Sequence, residues 1–177
     1  MEGAYPTLCK LREEGVIGAI GLGMNQWQML ADFARAGDFD CFLLAGRYTL
    51  LEQESLCELL PLCLEKDVRI IIGGPYNSGI LATGAIDGAM YNYAPANEQL
   101  LGRVRQIETV CARHEVPLKA AALQFPFGHE AVATTIPGAR SAEEIQDNVR
   151  LIEHPIHDDF WAELKAEGLI ASETPTP

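Results

Sequence analysis

The sequence predicts an α/β fold built on a parallel sheet, and three observations carry that prediction. Short apolar runs alternate four times with longer stretches of helical period. The apolar runs show no polar alternation, as expected of parallel strands covered on both faces. Glycines and a capping pair mark several helix ends. The 177 residues suit one domain, read as residues 1–170 with a disordered tail over 171–177.

Residues 4–14 (AYPTLCKLREE) read as a helix closed by Gly15. VIGAIGLGM (16–24) is the first strand. NQWQMLADFARAG (25–37) places Trp27, Leu30, Ala31 and Ala34 at helical spacing and ends at Gly37. FDCFLLAG (39–46) is the second strand, followed by LEQESLCELLPLCLEKD (51–67), a helix interrupted late by Pro61. RIIIGG (69–74) is the third strand and EQLLGRVRQIETVCARHE (98–115) the next helix. AVATTIPG (131–138) is the fourth strand. SAEEIQDNVRLI (141–152) follows as a helix, with Ser141 and Glu144 forming a capping box. Between the third strand and its helix, residues 82–97 are long enough to serve as a lid.

Composition narrows the function. Apolar residues make up 48% and charged residues 21%, which supports a packed core. Thirteen Lys and Arg against twenty-five Asp and Glu leave a net charge of −12, with no basic run. A nucleic-acid backbone or an anionic membrane is therefore a poor partner. The apolar runs fall far short of the roughly 20 residues that span a bilayer. Met1 and Glu2 do not open a secretory leader, so a cytoplasmic location is expected. Cys9, Cys41, Cys57, Cys63 and Cys111 are odd in number, with no C-x-x-C and no zinc spacing. They read as buried thiols in a reducing compartment.

Strict strand–helix alternation means right-handed crossovers in a parallel sheet. A doubly wound open sheet fits the length; a (β/α)8 barrel needs about 250 residues, so four units would be half of one. The G-x-G at Gly21 and Gly23 lacks the third glycine of a dinucleotide fingerprint, since Gln26 stands there. The pattern leaves both folds open.

Three segments resemble the aldo/keto reductases. GLGMN (21–25) resembles the G-x-S-N ending that family's fifth strand, and GGPYNSGIL (73–81) its seventh-strand S-P-L-x-x-G-L-L. IPGARSAEEIQDNV (136–149) is similar to its eighth-strand I-P-G signature, the most specific of the three. The likeness runs from residue 1 to about 167. FDCFLLAGRYTLLEQ (39–53) and AALQFP (121–126) are similar to the sugar-oxidising branch, the D-threo-aldose 1-dehydrogenases and L-fucose dehydrogenases. The resemblance implies the C-terminal half of a (β/α)8 TIM barrel, strands five to eight with their helices. The family's catalytic Asp, Tyr, Lys and His sit on strands one to four, and none of Tyr5, Tyr48, Tyr76, Tyr91 or Tyr93 matches that Tyr. The chain alone is expected to be inactive.

The resemblance also implies a cofactor surface. Asn25, beyond a strand's C-terminal end, would hold the nicotinamide carboxamide; a helix N-cap is its alternative. Met24 replaces the family's Ser. Tyr48 would stack on the nicotinamide or pack the barrel mouth, and Ala45 stands where relatives carry Gln. Gly74, Tyr76 and Ser78 would approach the pyrophosphate. Gly138, Arg140 and Ser141 open a helix whose N-terminal amides suit an anion. Asp147 and Asn148 fall where the family contacts adenine. Gly138 and Glu144 replace the Lys and Arg of NADP-selective members, which favours NAD over NADP, Glu144 accepting from a ribose hydroxyl. His114, His129, His154 and His157 match no family position and read as surface or loop residues. Lys10, Lys66, Lys119 and Lys165 lie in helices or their flanks, away from the strand ends.

The expected function is the NAD-binding half of an aldose dehydrogenase producing a lactone, completed by an amino-terminal half-barrel or by homo-oligomerisation. The alternative is a catalytically silent nucleotide-binding or assembly module derived from a half barrel.

Overall fold

The structure is a computed structural model and describes residues 3–177. The leader reading at Met1 and Glu2 lies outside those residues. Four parallel strands form one sheet in the order β1 (Gly21–Met24), β2 (Cys41–Ala45), β3 (Arg69–Gly73), β6 (Val132–Ile136). All three pairings are in parallel register, with Ala133 left over as a bulge where β6 meets Ile70 and Ile71. The helices are α1 (Ala4–Glu13), α2 (Trp27–Ala36), α3 (Leu59–Glu65), α4 (Ile80–Thr83), α5 (Glu98–Arg113), α6 (Leu118–Gln124), α7 (Ala142–Ile152) and α8 (Asp158–Ala166).

The strands differ from expectation in one respect: only one face of the sheet is covered. Phe42, Leu44, Ile70, Ile72 and Val132 are buried in the core, and Leu22 and Met24 pack against it. On the opposite face Gly21 and Gly23 are exposed, Cys41, Leu43, Ala45 and Ile71 are half-buried, and Ile136 is 51% exposed. An unbroken apolar run therefore encodes two different surfaces here, and period-two reading cannot separate them. On α7, Ile145, Val149 and Ile152 stand exposed at helical spacing.

The G-x-G lies inside β1. A Cβ on Gly21 would sit 2.5 Å from the Cys41 carbonyl oxygen, so this glycine admits the close approach of β2. The entry to both strands is fixed by Asp40. Its carboxylate accepts from the Ile20 amide at 2.6 Å and from Arg12 Nη1 of α1 at 2.8 Å. The Ile20 amide, then the Arg12 guanidinium, hold the Asp40 carboxyl below the usual carboxylate range.

The helix expected over 51–67 is split into a 3-10 turn at Glu54–Cys57 and α3. Pro61 has no N–H and its ring would meet the Cys57 carbonyl, so the helix restarts at Glu58 with Pro61 in its first turn. Two helices escaped the periodicity reading. In α6, Ala120 to Leu123 are all buried, so no polar face marks the period; α8 buries Phe160, Trp161 and Leu164. Residues 82–97 contain a two-stranded hairpin, β4 (Met90–Tyr91) and β5 (Ala94–Pro95), antiparallel to each other. Its tip residues Asn92 and Tyr93 have φ of 49° and 62°, as a type I′ turn requires.

In place of the disordered tail expected over 171–177, these residues pack on the fold. Thr174 is fully buried, and a Cβ on Gly128 would lie 2.5 Å from the Pro175 carbonyl oxygen. The absence of a side chain at Gly128 is what lets the terminal segment lie down.

Candidate functional site

The C-terminal ends of the four strands share one side of the sheet, and two cavities open there. The first, about 640 Å³, lies over the ends of β3 and β6. It gathers Gly74, Tyr76, Ser78, Gly138, Arg140, Glu144 and Asn148 from the residues expected to bind the cofactor. It also brings in Asn77, Tyr93 and Lys119, which sequence reasoning missed. Lys119 is a correction: it projects into this cavity from α6 and pairs with Asp147.

The loop after β3 has an unusual backbone. Asn77, Ser78 and Gly79 are consecutive left-handed residues, with φ of 46°, 59° and 102°. Two non-glycine residues in that region store strain that the surrounding contacts must hold. Asn77 is buried and donates Nδ2 to the Gly46 carbonyl at 3.2 Å, while its Oδ1 has no partner. Tyr76 is buried too, and its hydroxyl donates to Asn148 Oδ1 at 2.7 Å, tying this loop to α7. Burial, with the Asp147 charge nearby, pushes the Tyr76 phenol up to about 12.

At the start of α7 the Ser141 hydroxyl accepts from the Glu144 amide at 3.2 Å, the expected N-cap. The other half of the capping box is shifted by one residue. Glu144 accepts from the Arg140 amide at 2.7 Å and from the Arg140 guanidinium at 2.9 Å. The Arg140 guanidinium, then its amide, hold the Glu144 carboxyl below its ordinary value. Asp147 is held low first by Lys119 and then by Arg150. Each cation near the cavity therefore already has a carboxylate partner.

The second cavity, about 410 Å³, lies at the ends of β1 and β2. Asn25 lines it and does not cap α2: the N-cap position is Gln26, with no side-chain cap bond. Sequence reasoning missed the polar cluster beside it. Arg47 Nη1 donates to Glu52 Oε1 at 3.2 Å and to Asn92 Oδ1 at 3.1 Å. The Tyr91 hydroxyl donates to the same Glu52 oxygen. Burial raises the Glu52 carboxyl despite Arg47. The RYTLLEQ stretch held this signal, since Arg47 and Glu52 are the charged residues of an otherwise uncharged segment. A larger cavity of about 810 Å³ lies on the flank, lined by Pro95, Asn97, Arg103 and Leu169, and touches no end of the four-stranded sheet.

The stacking expected of Tyr48 is corrected. Tyr48 is fully buried, its ring centroid 5.2 Å from that of Phe125 and 6.1 Å from that of His129, so no cofactor reaches its face. The run of apolar residues around it draws it under the sheet, and burial raises its phenol above the usual value. His129 lies in the loop before β6, one of the two places expected for it, yet it is turned inward: it is 8% exposed, and its Nδ1 accepts from the Ala131 amide at 3.1 Å. His114 is half-buried against Phe160 and pairs with Glu163. Among the described residues no group of His, Cys, Asp and Glu is placed to hold a metal ion, and no helix is long and apolar enough to cross a membrane.

The model of the aldo/keto reductase family matches residues 1–167. The chain belongs to the aldo/keto reductase family. Among its relatives in that family is a pyridoxal 4-dehydrogenase of Microbacterium luteolum, 43% identical over 169 residues, covering 96% of this chain and 49% of that protein. A D-threo-aldose 1-dehydrogenase of Pseudomonas sp. is 38% identical over 176 residues, covering 98% of this chain and 52% of that protein. The chain spans about half the length of the curated aldo/keto reductases it matches. The holo form of an aldo-keto reductase from Bacillus halodurans superposes with a TM-score of 0.72 at 20% identity, over 96% of this chain and 56% of that one. Aldo/keto reductases are nicotinamide-dependent enzymes. The cavity over β3 and β6 fits such a group: an unpartnered buried Asn77 Oδ1, exposed backbone at Gly74 and Gly138, and two cations are gathered there.

Proposed function

We propose that this chain is the C-terminal half, strands five to eight, of a (β/α)8 barrel that oxidises a cyclic hemiacetal to its lactone with NAD. The single observation that carries the reading is the uncovered sheet face, with Leu43, Ile71 and Ile136 open on the side opposite the core. In a closed barrel that face is the packed interior, filled by side chains from all eight strands. The exposed stripe on α7 and the unpaired edges of β1 and β6 support the same reading. An amino-terminal half-barrel, in the same protein or as a partner chain, would close it; a second copy of this chain is the other candidate.

Two named relatives guide the substrate class. Aldoses and pyridoxal share one chemical feature: each closes on a hydroxyl of its own to give a ring carrying a hemiacetal carbon. Oxidation at that carbon yields a lactone. Bound nicotinamide would supply the hydride acceptor. The residues of this chain hold it: Asn25 at the carboxamide, Gly74, Ser78 and Asn77 around the ribose and pyrophosphate, and Arg140, Glu144 and Asn148 at the adenosine end. The acid/base set lies outside this chain in our reading, and general acid/base catalysis alone is typically worth about 10²–10⁴-fold. Of the five thiols expected to be buried only Cys63 and Cys111 are, while Cys9 and Cys41 are half-buried and Cys57 is exposed; a reducing, cytoplasmic setting suits free thiols of this kind.

The test is complementation. The chain should bind NAD by calorimetry and oxidise no aldose by itself. Adding the separately expressed amino-terminal half of a relative should restore NADH formation at an absorbance of about 340 nm. Turnover by the chain alone would overturn the half-barrel reading.

A further inference from the structure

The cavity at the ends of β1 and β2 holds, beside Asn25, a set of side chains that the cofactor surface leaves unused. It is lined by Asn25, Trp27, Arg47, Glu52, Glu54 and Asn92. Five of these six carry a planar polar head, and the sixth is an indole. Its volume of about 410 Å³ suits a ligand of sugar size.

The pairing inside the cluster is one-sided. Among the described residues, the side-chain hydrogen bonds of Arg47 all run through Nη1, to Gly46, Glu52 and Asn92. Those of Glu52's carboxylate all fall on Oε1, from Arg47 and Tyr91. The remaining guanidinium N–H groups and Glu52 Oε2 therefore offer a donor and an acceptor side by side. A vicinal diol is the complement of that arrangement, because each hydroxyl both donates and accepts. Glu52 is only 18% exposed at its side chain and Arg47 24%, so bonds made here meet less competition from water. Two carboxylates against one guanidinium exclude an anionic ligand and leave room for a neutral polyol.

We propose that Arg47 and Glu52 read a pair of adjacent substrate hydroxyls, which makes a polyhydroxylated aldose the hemiacetal this chain selects. The inference rests on the proposed function for its placement, since Asn25 of the same cavity is the residue assigned to the nicotinamide. A pyridoxal ring has no vicinal diol of saturated carbons and gains nothing from this pair. Trp27 offers an apolar surface on which the C–H face of a pyranose can rest.

The experiment uses the 177-residue chain and follows binding of D-arabinose, L-fucose and pyridoxal by saturation-transfer NMR. Calorimetric titration of NAD in the same samples is the second readout. The chain should bind both sugars more tightly than pyridoxal. Glu52→Gln should weaken the sugars by about tenfold or more, as loss of a charged hydrogen bond does. Asn92→Ala, at the exposed hairpin tip, should weaken them less. NAD affinity should stay within twofold in both variants, since neither side chain lines the larger cofactor cavity. Sugar binding unchanged in Glu52→Gln and Asn92→Ala, or absent in the parent chain while NAD still binds, overturns the hydroxyl-reading pair alone. Loss of both NAD and sugar binding in the parent chain overturns the proposed function with it.

Discussion

The hydroxyl of Tyr76 donates to Asn148 Oδ1 at 2.7 Å, across 72 positions of sequence, and joins the loop after β3 to the first turns of α7. Both residues line the cavity over β3 and β6, so the bond sets the distance between its two walls. With its pKa pushed up to about 12, Tyr76 remains a donor at any working pH. Tyr76→Phe should cost about 1 kcal/mol of stability, the usual net worth of such a bond. Thermal denaturation should register this as a modest fall in Tm, and NAD affinity should fall as the walls loosen. A variant with unchanged Tm and unchanged NAD binding would show that the bond does not hold the cavity.

Tyr48 should behave in the opposite way. Its hydroxyl is buried without a hydrogen-bond partner, so the native state carries the cost of desolvating it. Tyr48→Phe is expected to be neutral or stabilising by up to about 1 kcal/mol. NAD titration should be indifferent to it. A drop in NAD affinity without a drop in Tm would return Tyr48 to the cofactor surface.

His129 makes stability depend on pH. Burial lowers its pKa, and its Nδ1 accepts from the Ala131 amide, which only the neutral ring can do. The folded state thus binds the proton less readily than the unfolded chain, whose histidine titrates near about 6.5. Stability from this group is complete above that value and is lost as pH falls below it. Melting curves between about pH 7.5 and 5.5 should show a falling Tm, in a range above most carboxylate titrations. His129→Asn should flatten that fall; an equal slope in both proteins would assign it to other groups.

The uncovered sheet face predicts association. Leu43, Ile71 and Ile136 on one surface, with two unpaired strand edges, favour a partner. Light scattering should find the chain as a dimer or larger. Leu43→Glu should shift it toward monomer while leaving the helical circular dichroism intact, because Leu43 lies outside the core cluster. A parent chain that is monomeric and binds no hydrophobic dye would oppose this.

At the proposed cofactor site, an ion pair is expected to bear on the choice between NAD and NADP. Glu144 would repel a 2′-phosphate, yet it is already engaged by the Arg140 guanidinium and amide. The repulsion is therefore partly cancelled until the pair opens. Glu144→Gln should favour NADP by about two- to fivefold, in keeping with what an exposed ion pair carries. Arg140→Ala should shift the preference further toward NAD. Comparative titration of the two cofactors checks both directions, and added salt should shrink them.

The sequence was most readable where the physics is local. Four apolar runs located four strands, and Ser141 located the start of α7 through its side-chain cap. Legibility failed where long-range packing decides. Nothing in VIGAIGLGM or FDCFLLAG says that one face lacks a cover. The all-buried alanines of α6 carry no period, and with that helix went the position of Lys119 at the cavity. Tyr48 and His129 share an ambiguity: each sits near a strand, and only the fold shows both rings on the core side. Of the eighth-strand likeness, Gly138, Arg140, Glu144 and Asn148 line one cavity. The Arg47–Glu52 cluster was in plain view within RYTLLEQ but gains meaning only through Asn92, brought across by the hairpin.

Asp40 binds the Ile20 amide and Arg12 just ahead of β1 and β2, while Gly128 seats the terminal segment just ahead of β6. Both devices sit where strands begin; both cavities sit where strands finish. Robustness and recognition thus occupy opposite poles of the sheet, separated by the length of the strands, and distant sites contribute almost additively. For protein engineering this polarity defines a safe zone. Randomising the loop after β3, the hairpin tip and the start of α7 should yield libraries with altered ligand preference and largely retained thermal tolerance. Mutations placed before the strands should trade folding yield for no change in selectivity.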